Sequence, residues 1–152
     1  MSYFPFLVIL KMPVQFSLLE PKDIPDIVPL IQEFNENKFS PEVLTQRFEA
    51  MFQQHYECVG VFDGDRLIGL TGLWYQTRHY SGQSCEVDHV YIDQNYRSGG
   101  IGKQLFEFIE AHVKKKGCEA IELNTYVQNT ASHKFYYNLG FKILGFHFLK
   151  EI

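Results

Sequence analysis

Residues 90–105, Val-Tyr-Ile-Asp-Gln-Asn-Tyr-Arg-Ser-Gly-Gly-Ile-Gly-Lys-Gln-Leu, constrain this chain more than any other stretch. A β-branched and aromatic run passes through a polar joint into a glycine-rich turn. The turn opens a helix whose apolar stripe is Ile101, Leu105, Phe108, Ile109 and Val113. Three lysines and Gly117 close that helix, which supplies the cations and the left-handed residue that a helix C-terminus favours. A helix with one apolar stripe must cover a surface, and the strand feeding it points to a sheet. The unit therefore demands layered α/β packing.

The remaining sequence supplies the sheet. Residues 14–19 read as a strand. Asp23 caps a helix with Ile24, Ile27, Val28, Ile31 and Phe34 at helical spacing, ended by the polar Asn35-Glu36-Asn37-Lys38. A second helix starts at Ser40, with Pro41 in its first position and Leu44, Phe48, Met51 and Phe52 on one face. Residues 58–62 and 67–74 read as two strands around Asp63-Gly64-Asp65, a hairpin signal, and 86–92 as another strand. After the long helix come a strand over 120–126, a short helix over 130–138 closed by Gly140, and a last strand over 141–149. The expected fold class is α/β, a mixed sheet in the order β-α-α-β-β-β-α-β-α-β with helices on both faces.

At 152 residues, 45% of them hydrophobic and 21% charged, the chain is expected to form one domain over 13–152. Such a chain buries roughly two thirds of its unfolded surface and needs no disulfide or metal staple. Residues 1–12 read as an N-terminal extension outside the fold. Their apolar run falls short of the about 20 residues of a membrane span, and Lys11 follows the run where a secretory signal would place its basic residues first. The formal charge of -4 argues against a nucleic-acid partner held by phosphate neutralisation, and favours a cationic one. Cys58, Cys85 and Cys118 are odd in number and lack a C-x-x-C pair, so neither a disulfide framework nor a zinc site is suggested. A reduced, cytoplasmic setting is expected, with no metal, nucleic acid or membrane partner.

A helix N-terminus offers unpaired N–H groups and partial positive charge, so the turn at 97–103 reads as an anion site. Gly99, Gly100 and Gly102 clear Cβ atoms from it, and Arg97 and Lys103 add charge. A nucleoside-triphosphate loop would need a glycine where Arg97 stands and Ser or Thr where Gln104 stands. A dinucleotide fingerprint would need a third glycine at Leu105. What remains is Arg97-x-x-Gly100-x-Gly102.

With that motif the sequence resembles the Gcn5-related N-acetyltransferase (GNAT) superfamily, whose acetyl-CoA motif is Gln or Arg, two residues, Gly, one residue, Gly or Ala. The resemblance covers nearly all of the chain after Met12. It extends to element order, to the strand Val90-Tyr91-Ile92, and to a second block from Asn129 to Phe141 with Tyr136 four residues before Gly140-Phe141. It implies that backbone amides of Arg97, Ser98, Gly99, Gly100, Ile101, Gly102 and Lys103 hold the pyrophosphate of acetyl-CoA. It also implies that Tyr91 and Ile92 give backbone hydrogen bonds to the pantetheine arm, as an added strand would, and that a backbone N–H there stabilises the oxyanion. Asn129 matches a family asparagine that contacts the CoA arm. Tyr136 matches a tyrosine that protonates the departing thiolate, a role suited to a phenol of pKa near 10. Asp88, with Glu86 second, matches the strand carboxylate that some members use as base. The implied activity is acetyl transfer from acetyl-CoA to a primary amine, small-molecule or protein, by direct attack in a ternary complex.

The resemblance places the acceptor between residues 35–39 and 76–84, where Glu33 and Glu36 favour a cationic amine. Alternation along 86–92 puts Glu86, Asp88, Val90 and Ile92 on one face and Val87, His89 and Tyr91 on the other unless a bulge intervenes. His89 and His79 read as structural histidines. Each site residue has a structural reading beside the functional one: a tight joint for the glycines, core packing for Tyr136, a surface ion pair for Asp88 and Glu86. Two other functions stay open. One is a non-catalytic acyl-CoA sensor, and the other an interaction module whose apolar C-terminal strand pairs with a partner or a second copy as a homodimer.

Overall fold

The computed structural model describes residues 13–152, so the extension read over 1–12 lies outside the described residues. The first strand, β1 (Gln15–Leu19), leads through a short 3-10 turn into α1 (Ile24–Phe34) and α2 (Pro41–Met51). β2 (Tyr56–Asp63), β3 (Arg66–Arg78) and β4 (Gly82–Ile92) follow as a meander, and α3 (Ile101–Lys115), β5 (Ala120–Leu123) and α4 (Thr130–Asn138) complete the order. The five strands make one sheet in sequence order, antiparallel throughout except for β4 and β5. Those two run parallel, and α3 is the crossover that parallel neighbours require.

Each face of the sheet carries its own apolar layer. Under α1 and α2 lie Ile27, Val28, Ile31, Leu44 and Phe48, packed on Tyr56, Cys58 and Leu70. Under α3 lie Leu105, Phe106, Ile109 and Val113, packed on Val59, Val61, Ile68, Leu73, Cys85 and Val87. Most of each stripe is the one that helical spacing predicts, but Phe34 is exposed, and on α3 the buried phenylalanine is Phe106, with Phe108 only partly buried. The α2 start also behaves as its sequence suggests, for the Ser40 hydroxyl accepts from Val43 N–H at 3.3 Å and Pro41 needs no donor there.

Three features differ from the sequence reading. The segment read as a joint after β3 is a strand hairpin: Tyr75, Gln76, Thr77 and Arg78 pair with Cys85, Ser84, Gln83 and Gly82. Its polar side chains gave no apolar alternation, yet backbone pairing needs none. β5 ends at Leu123 and not at residue 126. Residues 141–149 form no strand; Leu144, Phe146, Phe148 and Leu149 are exposed, with apolar residues on both alternating faces. That two-sided pattern is the one expected of a strand inside a sheet, and among the described residues nothing pairs with it.

The local event that matters most for the site is a bulge in β4. Gly72 pairs with Asp88 but Leu70 pairs with Tyr91, so Thr71 faces both His89 and Val90. The simple alternation is therefore corrected. Cys85 and Val87 join the α3 layer, and after the bulge Val90 and Ile92 join the same layer. His89 packs instead on Phe48 of α2, and Tyr91 on Phe34 of α1.

The α3 layer should carry much of the stability. Ile109 is fully buried in it, and Ile109→Ala is expected to cost about 2–5 kcal/mol of unfolding free energy, read as a lower urea midpoint at an unchanged slope.

Candidate active site

β4 enters the glycine-rich turn through a braced joint. Asp93, itself buried, accepts Asn95 N–H at 2.9 Å, and its own N–H donates to Ile68 O at 2.7 Å. Arg66 lies 3.3 Å from its carboxylate, and the Tyr96 hydroxyl donates to Asp63 at 2.7 Å. Sequence reasoning missed Asp93 and Tyr96. The only signal for them was an Asp at the end of a strand, where a side-chain cap is common.

Past this joint Ser98 and Gly100 both take left-handed backbone, at φ 66° and 78°. Within α3 the first N–H to bond is that of Gln104, to Gly100 O at 3.2 Å. Helical geometry thus leaves the N–H groups of Ile101, Gly102 and Lys103 directed out of the N-terminus. The three glycines serve different ends. A Cβ on Gly100 would meet nothing within 4 Å, so its role is the positive φ. A Cβ on Gly99 would meet only the Tyr96 carbonyl, at an ordinary 3.7 Å. A Cβ on Gly102 would sit 3.1 Å from the Phe135 ring, so this glycine admits α4 against α3. The Lys103 ammonium is exposed, 4.0 Å from Glu107.

The strand edge beside the turn is open in the sense that matters for an extended ligand. β4 pairs with β5 only as far as Val87 and Leu123, then runs on to Ile92. Asp93 N–H points at β3, and in an antiparallel ladder successive residues alternate, so Tyr91 also bonds toward β3 while Ile92 turns its N–H and C=O outward. The geometry therefore divides the two residues expected to act together: Ile92 offers backbone to the open edge, and Tyr91 offers a side chain to the opposite layer. In this structure Arg97 Nε donates to Ile92 O at 2.8 Å, with its guanidinium 5.6 Å from the Tyr91 ring centre.

α4 packs beside the same turn. Asn129 is its N-cap, with Oδ1 accepting Ser132 N–H at 3.3 Å, which leaves its amide NH2 for other partners. The Tyr136 ring rests on Phe106, Phe135 and Phe141 at 5.3–5.8 Å between centres. Burial pushes its phenol pKa up, so the hydroxyl stays protonated at neutral pH and is a donor. Tyr137, next to it, is exposed.

On the α1 and α2 face four carboxylates approach the expected acceptor region, and three of them accept from side chains of other strands. Glu86 accepts from Asn124 at 2.7 Å, Gln76 at 3.2 Å and Arg78 at 3.3 Å. Glu122 accepts from Arg78, Tyr80 and Ser84 at 3.2, 2.9 and 2.9 Å. Glu33 accepts the Tyr91 hydroxyl, whose pKa is pushed up to about 12, chiefly by burial and then by that bond. The Asp88 side chain remains 55% exposed. Its Oδ1 accepts His89 N–H at 2.8 Å and its Oδ2 lies 3.2 Å from His89 Nδ1. The bond from His89 holds the carboxyl below the usual range against the opposing effect of burial. Glu36 and Asn37, in the loop after α1, both adopt left-handed backbone. Among the described residues no group of His, Cys, Asp and Glu could hold a metal ion, and no helix is long and apolar enough to cross a membrane.

Comparison with known proteins identifies the family. The family model described as "Acetyltransferase (GNAT) family" matches residues 24–141, from the start of α1 to the end of the second sequence block. The chain belongs to that family, and is an acyl-CoA-dependent N-acetyltransferase. It is similar to a probable N-acetyltransferase 14 of Xenopus tropicalis, 34% identical over 57% of this chain and 41% of the frog protein. It is also similar to an aminoalkylphosphonate N-acetyltransferase of Salmonella typhimurium (strain LT2), 25% identical over 86% of each chain. The fold superposes on a ribosomal-protein-alanine N-acetyltransferase from Brucella melitensis biovar Abortus 2308 with TM-score 0.78 at 19% identity, covering 92% of this chain and 99% of that one. It superposes on the aminoglycoside N-acetyltransferase AAC(6')-Iy in complex with CoA with TM-score 0.81 at 16% identity, covering 92% and 95%. The mixed sheet with helices on both faces is thus the fold of this family.

The Asp88 shift has a sign that can be checked. A carboxyl whose folded pKa lies below the free value of about 3.9 adds stability above that pH and loses it as the pH falls. Asp88→Asn should lower the urea midpoint at pH 7 and flatten its acid limb between about pH 5 and 2, so that the variant and wild-type curves converge at the acid end.

Proposed function

We propose that this enzyme transfers an acetyl group from acetyl-CoA to the primary amine of a small, cationic molecule. The observation that carries the reading is the continuity of the open edge of β4 with the left-handed, Cβ-free turn at the start of α3. An extended polar arm can lie along the Ile92 backbone while its diphosphate meets the amides of Arg97, Ser98, Gly99, Gly100, Ile101, Gly102 and Lys103. Arg97 would leave Ile92 O for the diphosphate as the arm enters, and the Asn129 amide would face the arm from α4. Bound there, acetyl-CoA supplies the activated thioester.

The chain's own groups complete the chemistry. The acceptor arrives as an ammonium with no lone pair, and Asp88, a half-exposed carboxylate of the acceptor face, takes a proton from it directly or through water. The amine nitrogen then bonds to the thioester carbon, an outward N–H of the β4 edge stabilises the oxyanion, and as the C–S bond breaks the nitrogen releases its second proton to solvent to leave the neutral amide. Tyr136 gives its hydroxyl proton to the departing sulfur and regains one from solvent. Glu36 in the loop after α1 and Asp88 make the acceptor side anionic, which selects a cation. The relatives named for aminoalkylphosphonate and, in Thermoplasma acidophilum, for spermidine support a small-molecule amine over a protein. No span or basic nucleic-acid face is part of this reading, which fits a cytoplasmic enzyme.

Two outcomes are expected. Calorimetry should show micromolar acetyl-CoA binding that Gly100→Glu abolishes, because the new side chain strains a φ of 78° and repels the diphosphate. With spermidine as acceptor and CoA thiol release as the readout, Tyr136→Phe should lower kcat on the order of 10²-fold while acetyl-CoA affinity holds. Tight binding with no turnover of spermidine, an aminoalkylphosphonate or an aminoglycoside would favour the acyl-CoA sensor, and no binding would sink both.

A further inference from the structure

We infer that His89 is a positioning residue for acetyl transfer: it fixes the Asp88 carboxylate toward the acceptor and acts through that carboxylate alone. The inference rests on the reading of Asp88 given under Proposed function. Three independent features of the fold converge on this one side chain.

The first is backbone. His89 sits in the β4 bulge with φ 36°, a conformation that non-glycine residues seldom take. The second is space. A Cβ on Gly72, across the ladder, would lie 2.3 Å from His89 Cε1 and 2.7 Å from Nε2, so the imidazole occupies the room that a side chain at position 72 would fill. The third is polar. The ring is almost fully buried, yet both nitrogens are matched: Nδ1 with Asp88 Oδ2 at 3.2 Å and Nε2 with the Tyr56 hydroxyl at 3.0 Å. Packing alone, edge-on to Phe48 at 5.7 Å, would be met by an apolar residue at lower cost.

The network also assigns the protons. The ionised Asp88 carboxylate can only accept, so the Nδ1 beside it carries the ring hydrogen, and the Tyr56 phenol, kept neutral by burial, is free to donate to the other nitrogen. Nε2 is then the acceptor and Nδ1 carries the hydrogen that Asp88 receives. Asp88 is thereby gripped twice by His89, through its backbone N–H and Nδ1–H, with the Trp74 indole a lesser donor, while its side chain stays 55% exposed on the acceptor side. The titratable groups that act on it are His89 beside it and Tyr56 beyond the ring. A carboxylate on a short side chain would otherwise sample several rotamers, and a base gains its rate from being held within hydrogen-bond reach of one proton.

The test uses the full chain, with acetyl-CoA and spermidine. Asp88→Asn, His89→Leu, His89→Asn and the Asp88→Asn/His89→Leu double variant are compared for kcat, KM and acetyl-CoA affinity. Asparagine places an N–H near the Nδ1 position and tolerates left-handed backbone, so His89→Asn should stay within about threefold of wild type. His89→Leu should lose kcat by a factor on the order of 10 to 10² with acetyl-CoA affinity unchanged, and the double variant should lose no more than Asp88→Asn. Should His89→Leu fail to fold, nitrogen NMR of the intact protein and of Tyr56→Phe decides: His89 is expected as the Nδ1–H tautomer at neutral pH, shifting in Tyr56→Phe. Losses that multiply in the double variant, full activity of His89→Leu beside an impaired Asp88→Asn, no rescue by asparagine, or an Nε2–H tautomer would each overturn the inference. Wild-type turnover by Asp88→Asn would instead overturn the reading of Asp88 beneath it.

Discussion

The extra residue in β4 governs the layout of the active site. Thr71, fully buried on β3, faces two residues of β4, and its hydroxyl donates to Asp88 O at 2.9 Å, a carbonyl that the broken ladder leaves short of a partner. Without the bulge, residues 86–92 would keep strict alternation, and His89 and Tyr91 would project into the α3 layer with Cys85 and Val87. A histidine and a tyrosine hydroxyl would then compete for space under α3 with no polar partner there. With the bulge, Asp88, His89 and Tyr91 project to the α1 and α2 side, where Tyr56 and Glu33 meet them. The same shift leaves Val90 and Ile92 apolar side down on the α3 layer, so that the Ile92 backbone points away from β3.

Parallel pairing then shapes the other half. β5 is four residues long and leaves β4 at Val87 because the chain must turn toward α4, whose Phe135 seats itself at Gly102. The strand edge that remains would be an aggregation hazard if it stayed bare. Arg97 covers it from within the same chain, with Nε on Ile92 O. On the proposed function a flexible, charged side chain suits this edge, since its guanidinium could transfer to a diphosphate at little cost in unsatisfied hydrogen bonds.

Much of this was legible in the sequence, and the parts that were not share a cause. Periodicity gave α1, α2 and α3 with their buried stripes because one face of each is apolar over several turns, as Ile101, Leu105, Ile109 and Val113 show. Residues 97–103 stood out as a candidate anion turn because three glycines and two cations fall together at the start of a helix, with a tight joint as the alternative. The extension of β3 and β4 to Arg78 and Gly82 was hidden because Gln76, Thr77, Gln83 and Ser84 carry no hydrophobic signal, and their pairing is a backbone matter. The bulge was equally hidden: it depends on Gly72 and Thr71, distant in sequence, so His89 read as an ordinary histidine. Residues 141–149 fail in the opposite sense, since their apolar pattern is a strong strand signal with no strand beside it to receive it.

Bonding on the proposed acceptor face shows how Asp88 differs from the other strand carboxylates there. Glu86 and Glu122 share Arg78, and their side chains are only 27% and 20% exposed, so a substrate ammonium would have to replace a guanidinium already in place. Glu33 is committed to Tyr91, a hydroxyl that cannot leave without exposing a buried ring. Each of these acids is used to fix a strand or helix end, which costs the face little because every bond is to a neighbour in the fold. Asp88 differs in that its donors are His89 on its own strand and the Trp74 indole of β3, while its side chain stays 55% exposed. An acid so held and still half exposed can meet a cation without giving up any bond that the fold needs, which is the physical difference between a carboxylate that braces a site and one that serves it.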